Sequence, residues 1–301
     1  MTTLVFGGNG QVGQELLRAL APLGDVQATT RSGSLPDGRA CLQADFVDAD
    51  AVVAVLDTLR PARVVNAAAY TAVDKAESDA DAAQAANATT PGAIACWCAA
   101  HEIPLVHYST DYVFDGGGTR PYLPEDPTAP LGVYGASKLA GENAIRAAGG
   151  RHLIFRTAWV YAAHGQNFLR TMLRVGAERD MLRVVADQIG TPTPAALIAD
   201  VTARILQQDA DSSGTWHLTA AGETSWHGFA QAIFDGAGAR GLIARAPMVE
   251  AITTADYPTP AKRPDYSRLD TASLERDFGI VLPQWRDALG EVLDTLAASQ
   301  R

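Results

Sequence analysis

A chain of 301 residues, 47% hydrophobic and 19% charged, has ordinary globular composition and room for a sizeable core in one large domain or two modest ones. Its formal net charge of −10 argues against a nucleic-acid partner, so an anionic ligand needs locally placed Arg, Lys or backbone N–H groups. No apolar run approaches the ~18 residues that cross a bilayer, and Thr2-Thr3-Leu4-Val5-Phe6 opens without a basic region and cleavage site, so no membrane partner is expected and a cytoplasmic location is.

Thr3–Phe6 reads as a strand, followed by a glycine-rich turn and a helix from Gln11 to Ala21. Val26–Thr30 is a second strand, Asp48–Leu59 a helix ended by Pro61, and Arg63–Asn66 a third strand. Asp79–His101 is Ala-rich and reads as one long helix; its Cys96 and Cys98, with Cys41 elsewhere, are expected as buried thiols because a lone C-x-C has no matching metal pair. Leu105–Ser109, Tyr134–Ala148 and Leu153–Thr157 continue the alternation of strand and helix. That rhythm predicts an α/β fold with a Rossmann-like, doubly wound parallel sheet over residues 1–160 and about 190–210. Residues 161–301 are less regular: helices at Asn167–Glu178, Ile198–Gln207, Ser225–Gly236, Thr271–Phe278 and Trp285–Ala297, and a strand at Thr215–Thr219. They predict a smaller α/β substrate-binding domain. The three prolines of Tyr257–Pro264 make that stretch a loop.

Gly7-Gly8-Asn9-Gly10-Gln11-Val12-Gly13 follows a strand and opens a helix, the context in which glycines let backbone approach a dinucleotide pyrophosphate. The run fits two spacings, Gly8/Gly10/Gly13 or Gly7/Gly10/Gly13. NAD-selective sites place an acid about 20 residues on, yet Thr29-Thr30-Arg31-Ser32 stands there. Arg31 with its hydroxyl neighbours suits a 2′-phosphate, which favours NADPH over NADH, against a plain surface charge as the competing reading.

Ser109-Thr110-Asp111 ends a strand where open α/β sheets bind ligands. In the next helix Tyr134 and Lys138 are four apart, one turn on one face. A nearby ammonium favours a phenolate and brings a Tyr with an ordinary pKa near 10 toward useful acid–base range. His101, His107, His152, His164, His217 and His227 show no H-x-x-x-H spacing and no G-x-S-x-G occurs, so metallohydrolase and serine-hydrolase chemistry are not expected.

The glycine loop, the strand-end hydroxyl and the Tyr-x-x-x-Lys helix resemble the extended short-chain dehydrogenase/reductase superfamily. Asn66–Glu77, His107–Gly116, Phe155–Tyr161, Asp187–Thr193 and Tyr257–Pro264 narrow the resemblance to the dTDP-4-dehydrorhamnose reductase family over nearly the whole chain. It implies NAD(P)H-dependent reduction of the C4 ketone of dTDP-4-dehydro-L-rhamnose to dTDP-L-rhamnose. By the same resemblance Tyr134 gives the proton, Lys138 holds the nicotinamide ribose and lowers the Tyr134 pKa, and Thr110 hydrogen-bonds the ketone. Gly10, Gln11 and Val12 line the pyrophosphate, Asp45 and Phe46 the adenine, and Ala67, Ala68, Ala69 and Tyr108 the ribose and nicotinamide end. Asp111 and Trp159 face the sugar, with Trp159 as plain core the rival reading, and Lys262 and Arg263 clamp the diphosphate or are simply solvated. Some relatives join two subunits through magnesium on three carboxylates; only Glu15 matches here, with Ala195-Ala196 at the second place and Thr295 at the third, where Glu291 and Asp294 are close by. No metal is therefore expected, and the subunit is a monomer or homodimer. Sugar-nucleotide epimerases and dehydratases share the fold, but Thr110 is followed by Asp111-Tyr112 rather than Asp-Glu, and the intact Thr110, Tyr134 and Lys138 weigh against a non-catalytic subunit like that of methionine adenosyltransferase.

Overall fold

The computed structural model describes residues 1–208 and 211–299. Seven strands, β1 (Thr2–Phe6), β2 (Asp25–Thr30), β3 (Leu42–Gln43), β4 (Arg63–Asn66), β5 (Leu105–Thr110), β6 (His152–Thr157) and β7 (Gly214–His217), form one sheet. Every pairing is parallel, in the order β7-β6-β5-β4-β1-β2-β3. The order reverses between β1 and β4, which opens a crevice at the carboxyl edge where the strand-end loops diverge.

Helices cover both faces, and successive side chains of each strand feed opposite cores. Val5, Val65, Val106 and Phe155 pack with Leu16 of α1 (Gln11–Leu20) and Ile198, Val201 and Ile205 of the helix Ala195–Gln207. Leu4, Phe6, Val64, Leu105 and Ile154 turn the other way, onto Val52 and Leu56 of the helix Ala49–Leu59 and Ile94 of the helix Thr90–Ala100. Each such buried side chain contributes about 1.5–3 kcal/mol, so this alternation fixes which face of the sheet each strand residue enters. A separate cluster of Tyr161, Leu169, Phe229, Ile233, Trp285, Leu289 and Leu293 gathers helices Phe168–Glu178, Trp226–Ala239 and Trp285–Ser299.

Several sequence expectations are corrected. Asp79–His101 is not one α-helix: Ala80–Gln84 runs into a π turn at Ala85–Thr89 before Thr90–Ala100. The π turn places the Asn87 amide inward, where its Oδ1 accepts the Tyr70 N–H at 2.8 Å and its Nδ2 reaches Ser137 Oγ at 3.0 Å. Of the three cysteines only Cys98 is buried; Cys96 is exposed because residues two apart on a helix point ~200° apart. Met181–Val185 and Met248–Ile252 form a parallel pair that the sequence reading left unassigned, and helix Ala195–Gln207 starts one turn earlier than expected, directly after Pro194. Among the described residues no helix is long and apolar enough to cross a membrane.

Candidate active site

The glycine loop joins β1 to α1. Gly7 has φ +81° and a Cβ there would meet Ala68 N at 2.7 Å, while a Cβ on Gly13 would stand 2.0 Å from Gly7 O. Only glycine permits that approach. Gly10 sits at the N-cap without a side-chain cap, and the first turn holds no acid, so the N–H groups at the start of α1 are left to an anion at its positive end. Those features fit a dinucleotide pyrophosphate. Gln11 spends its Oε1 on Asn167 Nδ2 at 2.8 Å, tying the loop to the residues after β6, and Val12 packs partly buried against the core.

At the end of β2, Thr30 is buried and its hydroxyl is tied to Ser34, so it anchors the turn instead of facing a ligand. Arg31 is 77% exposed and lies 3.4 Å from Asp45 Oδ1. Phe46 is buried edge-on against Phe6, at 5.4 Å between centroids. Ala67, Ala68 and Ala69 are half-buried directly after β4. Tyr108 departs from its expected place: its ring lies in the core and its hydroxyl meets Thr202 Oγ1 at 2.7 Å. Only its backbone carbonyl faces the site, where it accepts from Lys138 Nζ at 2.6 Å. The alternation of β5 sends the Tyr108 ring to one face of the sheet and His107 to the other.

β5, buried along its whole length, carries Thr110 to the carboxyl edge. The helix Val133–Ala147 brings Tyr134 and Lys138 to the same place. Its first N–H, on Val133, is accepted by Glu77 Oε1 at 2.9 Å, so the residues after β4 hold the helix start. A Cβ on Gly141 would lie 2.0 Å from Asn87 O, so the helix is pressed against the π turn. At its far end the buried Glu142 accepts from Arg156 Nε at 2.9 Å and Nη2 at 2.8 Å, locking the helix to β6.

The electrostatics differ from the sequence expectation. Burial pushes the Tyr134 phenol up to about 12; the Thr110 hydroxyl opposes this and Asp111 adds to it. Lys138, 2% exposed, is pushed down to about 8 by burial, with Glu142 pulling the other way. Its amine is directed at the Tyr108 carbonyl and His107 Nε2, 3.3 Å away. Asp111 is buried with its Oδ2 unpaired, and burial raises its carboxyl to about 6.

Trp159, with φ +47°, stacks on Trp226 at 3.6 Å and abuts Gly190. It is half-buried, so one part joins the C-terminal cluster while the rest remains open. Lys262 is exposed and shares a crevice with Tyr112, Tyr134 and Gly135. Arg263 is not free: Asp74 takes both its terminal nitrogens at 2.7 and 2.8 Å, which fastens the proline loop to the short helix Val73–Ala76. Glu15 gives one oxygen to His164 Nε2 at 3.0 Å and the other to Arg18 Nε at 3.0 Å. Among the described residues no three His, Cys, Asp or Glu side chains gather as candidate metal ligands. A surface groove between α1 and residues 35–41 shares none of the residues around Tyr134.

Asn66, Asn87 and His107 support the site and were missed as such. Their signal was position alone: Asn66 ends β4, His107 lies three residues before Thr110, and Asn87 sits inside an otherwise apolar helical run.

A parallel sheet with an anion-binding glycine loop at β1, and a hydroxyl, a phenol and an amine gathered at its carboxyl edge, defines a Rossmann-fold, nucleotide-dependent oxidoreductase of the extended short-chain type. The chain belongs to the RmlD substrate binding domain family, whose model matches residues 1–298. It is 46% identical to a dTDP-4-dehydrorhamnose reductase of Escherichia coli K12, over 98% of each chain, and 47% identical to one of Burkholderia thailandensis, over 96% and 97%. Among solved structures, the dTDP-4-dehydrorhamnose reductase ortholog of Clostridium acetobutylicum superposes with a TM-score of 0.89 at 37% identity, covering 98% of this chain and 99% of that one. The Bacillus anthracis reductase, solved in complex with NADP, gives 0.89 at 32% identity over the same shares.

Proposed function

We propose that this protein reduces the C4 ketone of dTDP-4-dehydro-L-rhamnose to dTDP-L-rhamnose with NAD(P)H, the last step of dTDP-L-rhamnose synthesis. The observation that carries the reading is a single edge of the sheet at which Thr110, Tyr134 and Lys138 meet, in a chain 46% identical along 98% of its length to a reductase of that name. Bound nicotinamide supplies the hydride for C4. Tyr134 gives its proton to the C4 oxygen, and a phenol held up at about 12 keeps that proton across the working pH range. Thr110 hydrogen-bonds the same oxygen as charge grows on it. Lys138 holds the ribose, and Gly7, Gly10, Gln11, Val12 and Gly13 hold the pyrophosphate. Arg31, exposed and next to Asp45, meets a 2′-phosphate, which favours NADPH.

Residues 1–160, with 190–210, form the cofactor domain in this reading, and 161–301 supply the sugar and nucleotide wall. Asp111 and the open part of Trp159 face the sugar. Lys262 meets the diphosphate, and Arg263 joins it by exchanging Asp74 for phosphate. The subunit is cytoplasmic and works as a monomer or homodimer. Steady-state oxidation of NADPH and NADH with a panel of nucleotide 4-keto sugars tests the reading. Turnover is expected with the dTDP-4-keto sugar and faster with NADPH; turnover with none of the panel, in a protein that binds the cofactor, overturns it.

A further inference from the structure

Behind Tyr134 three buried side chains and one backbone N–H stand in line. Asn66 Oδ1 accepts the Ala68 N–H at 3.1 Å, Asn66 Nδ2 lies 3.0 Å from His107 Nδ1, and His107 Nε2 lies 3.3 Å from Lys138 Nζ. Asn66, His107 and Lys138 are 1%, 0% and 2% exposed, so bulk water does not repair a bad contact among them.

The Ala68 N–H can only donate. A carboxamide and a neutral imidazole each offer this line one accepting end and one donating end. Donation therefore runs from Ala68 to Asn66, from Asn66 to His107, and from His107 Nε2–H to Lys138, where it needs a lone pair on Nζ. An ammonium has none. Turning the amide over lets Nε2 accept from an ammonium, but the Asn66 NH2 then faces the Ala68 N–H. Moving the proton onto the imidazole produces the same clash. Every state of the line with one positive charge contains a donor-to-donor contact, and the uncharged state contains none. This holds for either orientation of the amide and either tautomer of the ring.

We propose that Asn66 and His107 are positioning residues that weaken the hold of Lys138 on its proton, so that the charge beside Tyr134 is conditional on what else occupies the site. Lys138 takes up its proton when an anionic ligand stands near it, and the ammonium then eases release of the Tyr134 proton. This use of the device rests on the proposed reductase reading; the protonation state itself does not.

The helix of Lys138 itself presents Tyr134 and Glu142 one turn to either side, and Glu142 is already engaged by Arg156 of β6 and by Arg146. β5 presents His107 and the Tyr108 carbonyl, and β4 presents Asn66 through His107. Burial pushes Lys138 down, and burial pushes His107 well below its ordinary value, in the direction that the line of contacts requires.

The chain has three lysines, Lys75, Lys138 and Lys262, so an NMR pH titration of lysine-labelled, ligand-free protein reads Lys138 directly and needs no substrate or turnover. Wild type is expected to show one lysine midpoint at about 8. His107→Gln keeps one accepting and one donating end, so the Lys138 midpoint stays within about half a unit of wild type. Asn66→Asp accepts at both ends, which lets Nε2 accept from an ammonium, and raises the midpoint by more than about one unit. Asn66→Leu, which adds no charge but releases the ring from Asn66, raises it by a smaller step. Three coincident midpoints in wild type, an unmoved Lys138 in both folded Asn66 variants, or a rise in His107→Gln equal to that in Asn66→Asp would each overturn the proposal. The wild-type titration decides on its own if a variant does not fold. An inactive enzyme with the expected titration would instead count against the reductase reading alone.

Discussion

The Thr110 hydroxyl donates to Asp111 Oδ1 at 3.0 Å, and both side chains are buried. Thr110 has one hydroxyl hydrogen, and in this arrangement it is directed away from any incoming ketone while its oxygen accepts the Tyr112 N–H at 3.2 Å. A protonated Asp111 reverses that bond and frees the Thr110 hydrogen for the substrate. The state of Asp111 thus governs what Thr110 offers.

That pairing has a measurable signature in stability. Asp111 titrates at about 6 in the fold, above the ~3.9 of an unfolded chain, so folding favours its protonated form. Its contribution is fully present below about pH 4 and is lost as pH rises through 6. Asp111→Asn keeps the acceptor for Thr110 without the charge. It is expected to be more stable than wild type above pH 7, by on the order of 2 kcal/mol, with that gain vanishing at pH 4. Urea unfolding at the two pH values checks this; a difference independent of pH would mean the carboxyl is not held up by burial.

Tyr134→Phe removes the proposed acid and leaves the ring edge-on to Tyr112, 5.7 Å between centroids. Turnover is expected to fall by about 10²–10⁴ while cofactor affinity, measured by fluorescence titration, changes only a few-fold. Turnover within a few-fold of wild type would take Tyr134 out of its role.

Glu142 and Arg156 form a two-bond pair with exposures of 0% and 2%. Glu142→Ala leaves a buried guanidinium uncompensated and is expected to cost about 3–5 kcal/mol of stability. Because the pair fixes the helix that carries Tyr134 and Lys138, kcat should suffer in whatever fraction remains folded. Thermal unfolding reads the first effect, and a drop of under 1 kcal/mol would show that the pair is not a clasp.

Gly13→Ala places a methyl group against the Gly7 carbonyl, with 2.0 Å between them before relaxation. The loop must open, and the expected outcome is loss of dinucleotide binding by tenfold or more with a smaller loss of thermal stability. Calorimetric titration with NADPH measures it; unchanged affinity would place the pyrophosphate elsewhere.

Much of this fold was legible because local patterns and the tertiary structure agree. Val5 and Leu4 alternate between two cores as a period-two strand must, and the strand–glycine–helix run at Phe6–Gln11 permits little else. The spacing of Tyr134 and Lys138 put them on one helical face without reference to any other part of the chain. The π turn at Ala85–Thr89 was not legible, since its cause is the Asn87 amide reaching Tyr70 and Ser137 across sequence separations of 17 and 50 residues. The strand pair Met181–Val185 and Met248–Ile252 was hidden for the same reason: neither short segment is specified without its distant partner.

The sequence by itself determined the class of fold, the glycine loop and the candidate reacting side chains, because each is written in spacings shorter than about a dozen residues. Only the tertiary structure decided their electrical state. It buried Lys138 against His107 and Tyr108, left Tyr134 a high-pKa phenol, turned the Tyr108 ring into the core and gave Arg263 to Asp74. Desolvation and long-range hydrogen bonds set those states, and both depend on which distant segments the sheet brings together.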